Sequence, residues 1–170
     1  LNAAYGLNDS VIQGYFVWAS KAVRGQFGDS WLYNQPVLQK FASVIWYSFA
    51  LGLASFILEI IIAIPAGVAA ARKQYSLTDY SITVIALIGI SLPSFFFATI
   101  LKWIFAVKLN WLDLYGIVGR MHQQLSPAGQ VLDIAKHMIM PVLTLTIVSI
   151  GSLMRYTRTN MLEVLNADYI

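Results

Sequence analysis

Residues 41–71 read FASVIWYSFALGLASFILEIIIAIPAGVAAA, and this stretch decides the fold. Only Ser43, Ser48, Ser55 and Glu59 interrupt its apolar run. A bilayer core is about 30 Å thick and is crossed by about 20 helical residues at about 1.5 Å each. A helix over 41–71 is longer than that, so it must tilt, kink or project, and Pro65 is the expected kink. Two further stretches have the same character. Residues 81–107 carry Pro93 near the middle and Lys102 near the far end. Residues 138–154 are uncharged and mostly apolar, and the expected span extends past Arg155 to about 156. The expected fold class is therefore all-α, a polytopic transmembrane helical protein with about three spans and an external helix and loop region.

The composition points the same way. Of the 170 residues, 58% are hydrophobic and only 11% charged. Soluble domains carry about 25% charged residues. A soluble domain of this size could not hide so much apolar surface, and a disordered chain would be polar and charged. The mean hydropathy of +0.67 agrees. With no cysteine, disulfide frameworks, thiolate metal sites and cysteine nucleophiles are excluded. The net charge of +3 does not indicate a nucleic-acid partner, because the 11 Lys and Arg are scattered and never form a run.

Charge placement sets the expected orientation. Arg72 and Lys73 follow the first span, and Arg155 and Arg158 follow the third. Residues 72–80 and 155–170 then lie in the cytoplasm, with four Lys or Arg in 25 residues. The external segments, 1–40 and 108–137, hold six in 70. Residues 1–40 read as an aromatic-rich external segment with a short helix over about 9–24 at the interface. Residues 41–170 read as the transmembrane core. The chain begins at Leu1 and shows no basic and apolar leader, so an upstream span is expected. Ser76-Leu77-Thr78-Asp79 fits a capping box that opens the second span's helix.

Candidate chemistry is sparse. His122 and His137 lie 15 residues apart in or near the outer segment, a spacing that matches no metal pattern, and they read as ordinary loop histidines. Asp113 and Asp133 read as solvated loop acids. No P-loop, H-E-x-x-H or G-x-S-x-G occurs. Neither catalytic residues nor a cofactor or metal are therefore expected. Glu59 is the costly residue, because an ionisable group deep in a span faces a cavity or a polar partner. It reads either as a pore-facing or proton-relay group or as half of a packing pair. Lys102 reads as a side chain that snorkels outward. Ala63, Gly67 and Ala71, and Ala50 and Ala54, put small residues at four-residue spacing, which permits close helix contact in lipid. Pro65, Pro93 and Pro141 free backbone carbonyls in or near the spans, which favours a transporter or channel over a plain anchor. Residues 157–170 form an amphipathic helical pattern suited to docking in a partner's groove. Met161, Leu162, Val164 and Leu165 alternate there with Arg158, Asn160, Glu163, Asn166 and Asp168.

These pieces resemble a known family. Arg155 through Ile170 looks like the entry to the coupling loop of bacterial ABC-transporter permeases, in the binding-protein-dependent dipeptide, oligopeptide and nickel branch. Ile64-Pro65-Ala66-Gly67-Val68-Ala69-Ala70 resembles the family's Ile-Pro-x-Gly-x-x-Ala-Ala, and Ser91-Leu92-Pro93-Ser94-Phe95 its Ser-x-Pro-x-Phe. Met140-Pro141 resembles the Leu-Pro that starts a later span. Gly25-Gln26-Phe27-Gly28-Asp29-Ser30 resembles the outer Gly-Asp-Leu-Gly-x-Ser segment, with Gln in place of the acid. The family has about six spans, so one upstream and two downstream are expected beyond these three.

The resemblance implies a pore-forming permease subunit of an ATP-driven importer in the bacterial inner membrane, carrying oligopeptides or dipeptides. Its implied partners are a second homologous permease, two cytoplasmic ATP-binding subunits, an external substrate-binding protein and the lipid bilayer. ATP hydrolysis would belong to the partner subunits. Glu163, Ala167, Asp168, Tyr169 and Ile170 would form the ATPase-coupling segment. Glu59, Pro65, Pro93 and Pro141 would line the translocation path or bend its helices. The alternative from the residues themselves is an ion channel or ion-coupled secondary transporter that uses Glu59. An intramembrane enzyme would need a catalytic pair at membrane depth. Only Glu59 and Lys102 are ionisable there, toward opposite halves of different spans.

Overall fold

The computed structural model describes residues 10–167. It falls into two compact units, 1–49 and 50–170. In the first, α1 covers Val11–Val23. It starts at Ser10 because the serine Oγ accepts the Gln13 backbone N–H (3.3 Å), one of the donors a helix start leaves free. Gly25 and Gly28, both at φ near +77°, then turn the chain into a two-stranded antiparallel ribbon. Its strands are β1 (Asp29–Ser30) and β2 (Gln35–Pro36), paired Asp29 to Pro36 and Ser30 to Gln35. The ribbon leads directly into α2, Val37–Arg72, whose first residues complete this unit.

The second unit holds the rest of α2, then α3 (Leu77–Ser91), α4 (Ser94–Leu101) and α5 (Pro127–Leu165). Among the described residues, α2 and α5 are each long and apolar enough to cross a membrane. The apolar stretch 81–107 is not a single straight helix. It breaks after Ser91, and the two halves meet at 101°. The cause is local. Pro93 has no N–H to continue the α3 ladder, and it pushes Leu92 into an extended conformation (ψ 137°) before α4 begins. Beyond α4 the chain widens into a π-helical turn over Lys102–Lys108, closed by Leu109 N–H donating to Ile104 O (2.9 Å). The helix that carries the third apolar stretch starts at Pro127, well before Met138. Ser126 caps it, its Oγ accepting the Gly129 N–H, and proline suits the first turn because it has no N–H to satisfy.

Small residues set the packing. The buried positions of α2 are Ser55, Ala63, Gly67, Ala70 and Ala71, which fall on one face at helical spacing. Ala63, Ala86 and Met154 form the centre where α2, α3 and α5 meet. A β-carbon at Gly67 would lie 2.6 Å from Thr157 Cβ and 2.8 Å from Met154 O, so the bare glycine lets α5 press against α2. At Gly89 the corresponding distance, to Ile147 O, is 2.8 Å. Twelve residues before Gly67, the Ser55 carbonyl accepts the Thr146 hydroxyl (3.3 Å). The pairs Ser55–Thr146 and Gly67–Thr157 ascend together, so α2 and α5 run parallel. The pairs Asp79–Arg158, Ala86–Gly151 and Gly89–Ile147 run oppositely, so α3 is antiparallel to both. In lipid, where apolar faces gain nothing by leaving water, such close packing and the hydrogen bonds it permits hold helices together. The outward face of α2 stays apolar and exposed, with Phe56, Ile57 and Ile61 on it.

Candidate functional site

The polar centre of the second unit lies where α2 ends, α3 begins and α5 nears its C-terminus. After Arg72 the chain reverses through Tyr75, a non-glycine residue at φ 62°. Ser76 then caps α3, its Oγ accepting the Asp79 N–H (3.4 Å) and donating to Lys73 O (2.6 Å). Half of the expected capping box is thus present. The Asp79 carboxylate, however, does not fold back on Ser76. Its Oδ2 accepts the Tyr75 N–H (3.0 Å) and the Arg158 Nη2–H (2.8 Å), while Oδ1 accepts Arg158 Nε–H (2.6 Å). Asp79 is 2% exposed. This is a two-point fork between a planar guanidinium and a carboxylate, the geometry in which an ion pair also fixes orientation. Both groups lie in the polar flanks, outside the apolar stretches 81–107 and 138–156. There the Arg158 hydrogen bonds hold the Asp79 carboxyl below the usual carboxylate range, more than offsetting burial, with help from the Tyr75 N–H.

Of the expected coupling residues, Glu163 follows on the same helix. Glu163 is exposed in the last turn of α5, and Ala167 lies just past the C-cap Asn166, half-buried. Asp168, Tyr169 and Ile170 lie outside the described residues. Glu59 is half-buried on α2, with no hydrogen-bond or ion-pair partner among the described residues. Pro65 is exposed within α2, which stays helical past it, and Pro93 caps α4 at the break. Pro141 lies inside α5, where it cannot donate to the His137 carbonyl.

A second polar cluster occupies the other end of α5. The helix begins early enough to carry Asp133, Lys136 and His137, so these are not loop residues. Asp133 Oδ2 accepts the Gly119 N–H (2.9 Å) and lies 2.7 Å from His122 Nδ1. His137 Nδ1 is 2.8 Å from Asp133 O, and its buried Nε2 is 3.5 Å from Asp113 Oδ2. Asp113 also pairs with Lys136 (3.2 Å). The Gly119 amide, with His122, holds the Asp133 carboxyl below its ordinary range. Sequence spacing could not reveal this cluster, because residues 113 and 122 reach α5 only through the folded outer segment. Among the described residues no group of three or more His, Cys, Asp or Glu could hold a metal ion. Beside the cluster, a cavity of about 470 Å³ opens between α4, residues 113–116 and α5, lined in part by Lys102, Asp113, His137 and Pro141. Lys102 reaches toward the outer segment, where its Nζ sits 4.2 Å from the centre of the Tyr115 ring.

Apolar helices packed through glycine and alanine, one of them broken at a proline, define a polytopic helical membrane protein. More narrowly, the chain belongs to the family of binding-protein-dependent transport system inner membrane components, which it matches over residues 63–170. It is 37% identical over 98% of its length to the oligopeptide transport system permease protein AppB of Bacillus subtilis, covering 51% of that protein. It is 36% identical to the oligopeptide transport system permease protein OppB of Escherichia coli K12, and 34% identical to that of Salmonella typhimurium. In both cases all of this chain aligns with 52% of the relative. The chain thus spans about half the length of the curated relatives it matches.

Proposed function

We propose that the chain forms part of the pore-forming permease subunit of an ATP-driven importer for oligopeptides. The observation that carries this reading is α5 itself. It runs unbroken from the outer polar cluster, through an apolar stretch that the family pattern covers, to Glu163 at its end. A push on that end moves a single rod that packs against both α2 and α3. Such a rod suits alternating access, in which a docked partner tilts helices and switches the open side of a cavity. That these relatives are oligopeptide transport system permease proteins supports oligopeptides as the cargo.

In this reading residues 72–80 and 155–170 face the bacterial cytoplasm, and 1–40 and 108–137 face outward. The Asp79–Arg158 contact, which puts the two basic flanks at one end of the helices, supports that placement. Glu163, Ala167, Asp168, Tyr169 and Ile170 dock on two ATP-binding subunits, which hydrolyse the ATP. A second permease completes the pore, and an external binding protein delivers the peptide. Pro65, Pro93 and Pro141 shape the moving helices, and Glu59 faces the translocation path.

The test is ATP-dependent uptake of a labelled oligopeptide by proteoliposomes holding the full-length subunit and its partners. Substitutions of Glu163, Asp168 or Tyr169 should leave membrane insertion intact while uncoupling hydrolysis from uptake. Wild-type uptake in all three would overturn the docking assignment. Uptake driven by an ion gradient without ATP would overturn the importer reading.

A further inference from the structure

We propose that Asp79 and Arg158 form the joint through which a displacement of the segment after Arg158 reaches α2 and α3. The inference rests on the importer reading above and names the positioning residues of its coupling step. Three features carry it.

First, one carboxylate ties three pieces of chain together. Asp79 stands in the first turn of α3, receives both Arg158 donors from α5, and receives the Tyr75 N–H from the reversal that joins α2 to α3. Tyr75 holds a left-handed conformation that costs a non-glycine residue about 1 kcal/mol or more. The Asp79 bond is what holds that turn's N–H, so moving the carboxylate moves the reversal as well.

Second, Arg158 and Glu163, the first of the expected docking residues, share one helix. Arg158 and Glu163 are five positions apart on one continuous helix, about 7.5 Å at 1.5 Å per residue. Thr157, the neighbour of Arg158, is also the residue pressed on Gly67 of α2. A shift of the α5 end therefore meets α3 through the ion pair and α2 through the glycine contact at the same level.

Third, packing alone does not explain a charge pair at this position. An ion pair whose carboxylate is buried is on balance no more stabilising than well-fitted apolar residues, because that carboxylate loses its water and the Arg158 side chain, 26% exposed, loses much of its own. Its contribution is a fixed distance and orientation, which a joint requires and the surrounding alanine and glycine contacts do not supply.

The experiment uses the full-length subunit assembled with its partners in proteoliposomes and reads uptake per ATP hydrolysed. Arg158→Gln and Asp79→Asn should lower that ratio about tenfold or more. Arg158→Lys keeps the charge and loses the fork, and should fall between them and the wild type. That milder variant decides the question if either of the others fails to assemble. Two results would overturn the joint. One is a wild-type ratio in every variant. The other is uptake and hydrolysis falling together in proportion to lost folded transporter, which is what a purely structural pair predicts. Failure of the importer reading looks different, because the wild-type assembly would then show no ATP-driven uptake at all.

Discussion

Gly151 on α5 meets the backbone carbonyl oxygen of Ala86 on α3 so closely that no side chain fits between them. The contact lies one helical turn from the Gly89–Ile147 approach and two turns from the Asp79–Arg158 pair. It sets how near α3 can come to α5, and therefore whether the fork at the end can close.

A side chain at this crossing must push the helices apart. Gly151→Val is expected to destabilise the protein by about 1–3 kcal/mol, the usual range for overpacking against backbone. Gly67→Val should do the same at the α2 crossing. Gly14→Ala is the matched control, because open space surrounds that glycine in α1. There alanine should stabilise by about 0.5–1 kcal/mol through helix propensity. Thermal unfolding of the detergent-solubilised subunit measures all three, and equal melting temperatures for Gly151→Val and wild type would refute the packing argument.

Asp79 makes stability depend on pH in a predictable direction. Its carboxyl is depressed in the folded protein by Arg158, so it contributes stability that is fully present above the unfolded-state value of about 3.9. That contribution is lost as pH falls through the lower folded-state value. Asp79→Asn should therefore melt below wild type at pH 7, and the gap should close as the pH is lowered below about 4. A gap that does not change with pH would show that the ionised form is not what Arg158 stabilises. Arg158→Gln at pH 7 leaves the carboxylate buried without its cation, and should cost about 3 kcal/mol.

Asp133 organises the outer turn in the same sense. It accepts the Gly119 N–H and sits against His122, and its depressed carboxyl means that these bonds hold above the ordinary carboxylate range and loosen as pH falls through the folded value. In Asp133→Asn the Gly119 amide should exchange faster with deuterium than in wild type at pH 7, while amides in the middle of α5 stay protected. Unchanged exchange at Gly119 would remove Asp133 from this role.

Glu59 has no polar partner to lose among the described residues. Glu59→Gln should accordingly shift stability by less than about 0.5 kcal/mol. A large loss of folded subunit would reveal a partner bound through that carboxylate, and would favour the packing role over a pore-facing one.

Much of the fold was legible in the order of residues. A run like 41–71 can satisfy its backbone in lipid only as a helix, so an apolar stretch longer than a bilayer is thick specifies its own secondary structure. The four-residue spacing of Ala63, Gly67 and Ala71 likewise marked the face that α2 buries. The bend at Pro93 was readable as a site, because proline's missing N–H is a local property. Its angle of 101° was not, because α4 takes its direction from packing against α5. Of the described coupling residues, Glu163 was marked by the amphipathic pattern over 157–170 as well as by resemblance, whereas Ala167 was placed by resemblance alone.

The polar sites divide in the same way. Sequence marked Asp79 as a helix-start acid and Arg158 as an inner-face cation, each from its immediate neighbours. Only tertiary structure joined them, because two positions 79 apart in the chain are brought together by α3 lying antiparallel to α5. The same holds for Asp133 with Gly119 and His122, which meet only because α5 starts at Pro127 and the outer segment folds back on its first turns. Hydrophobic length and backbone chemistry are local, and the sequence alone determined them. Which charge answers which depends on crossings permitted by glycines far apart in the chain, and that was decided only by the packed helices.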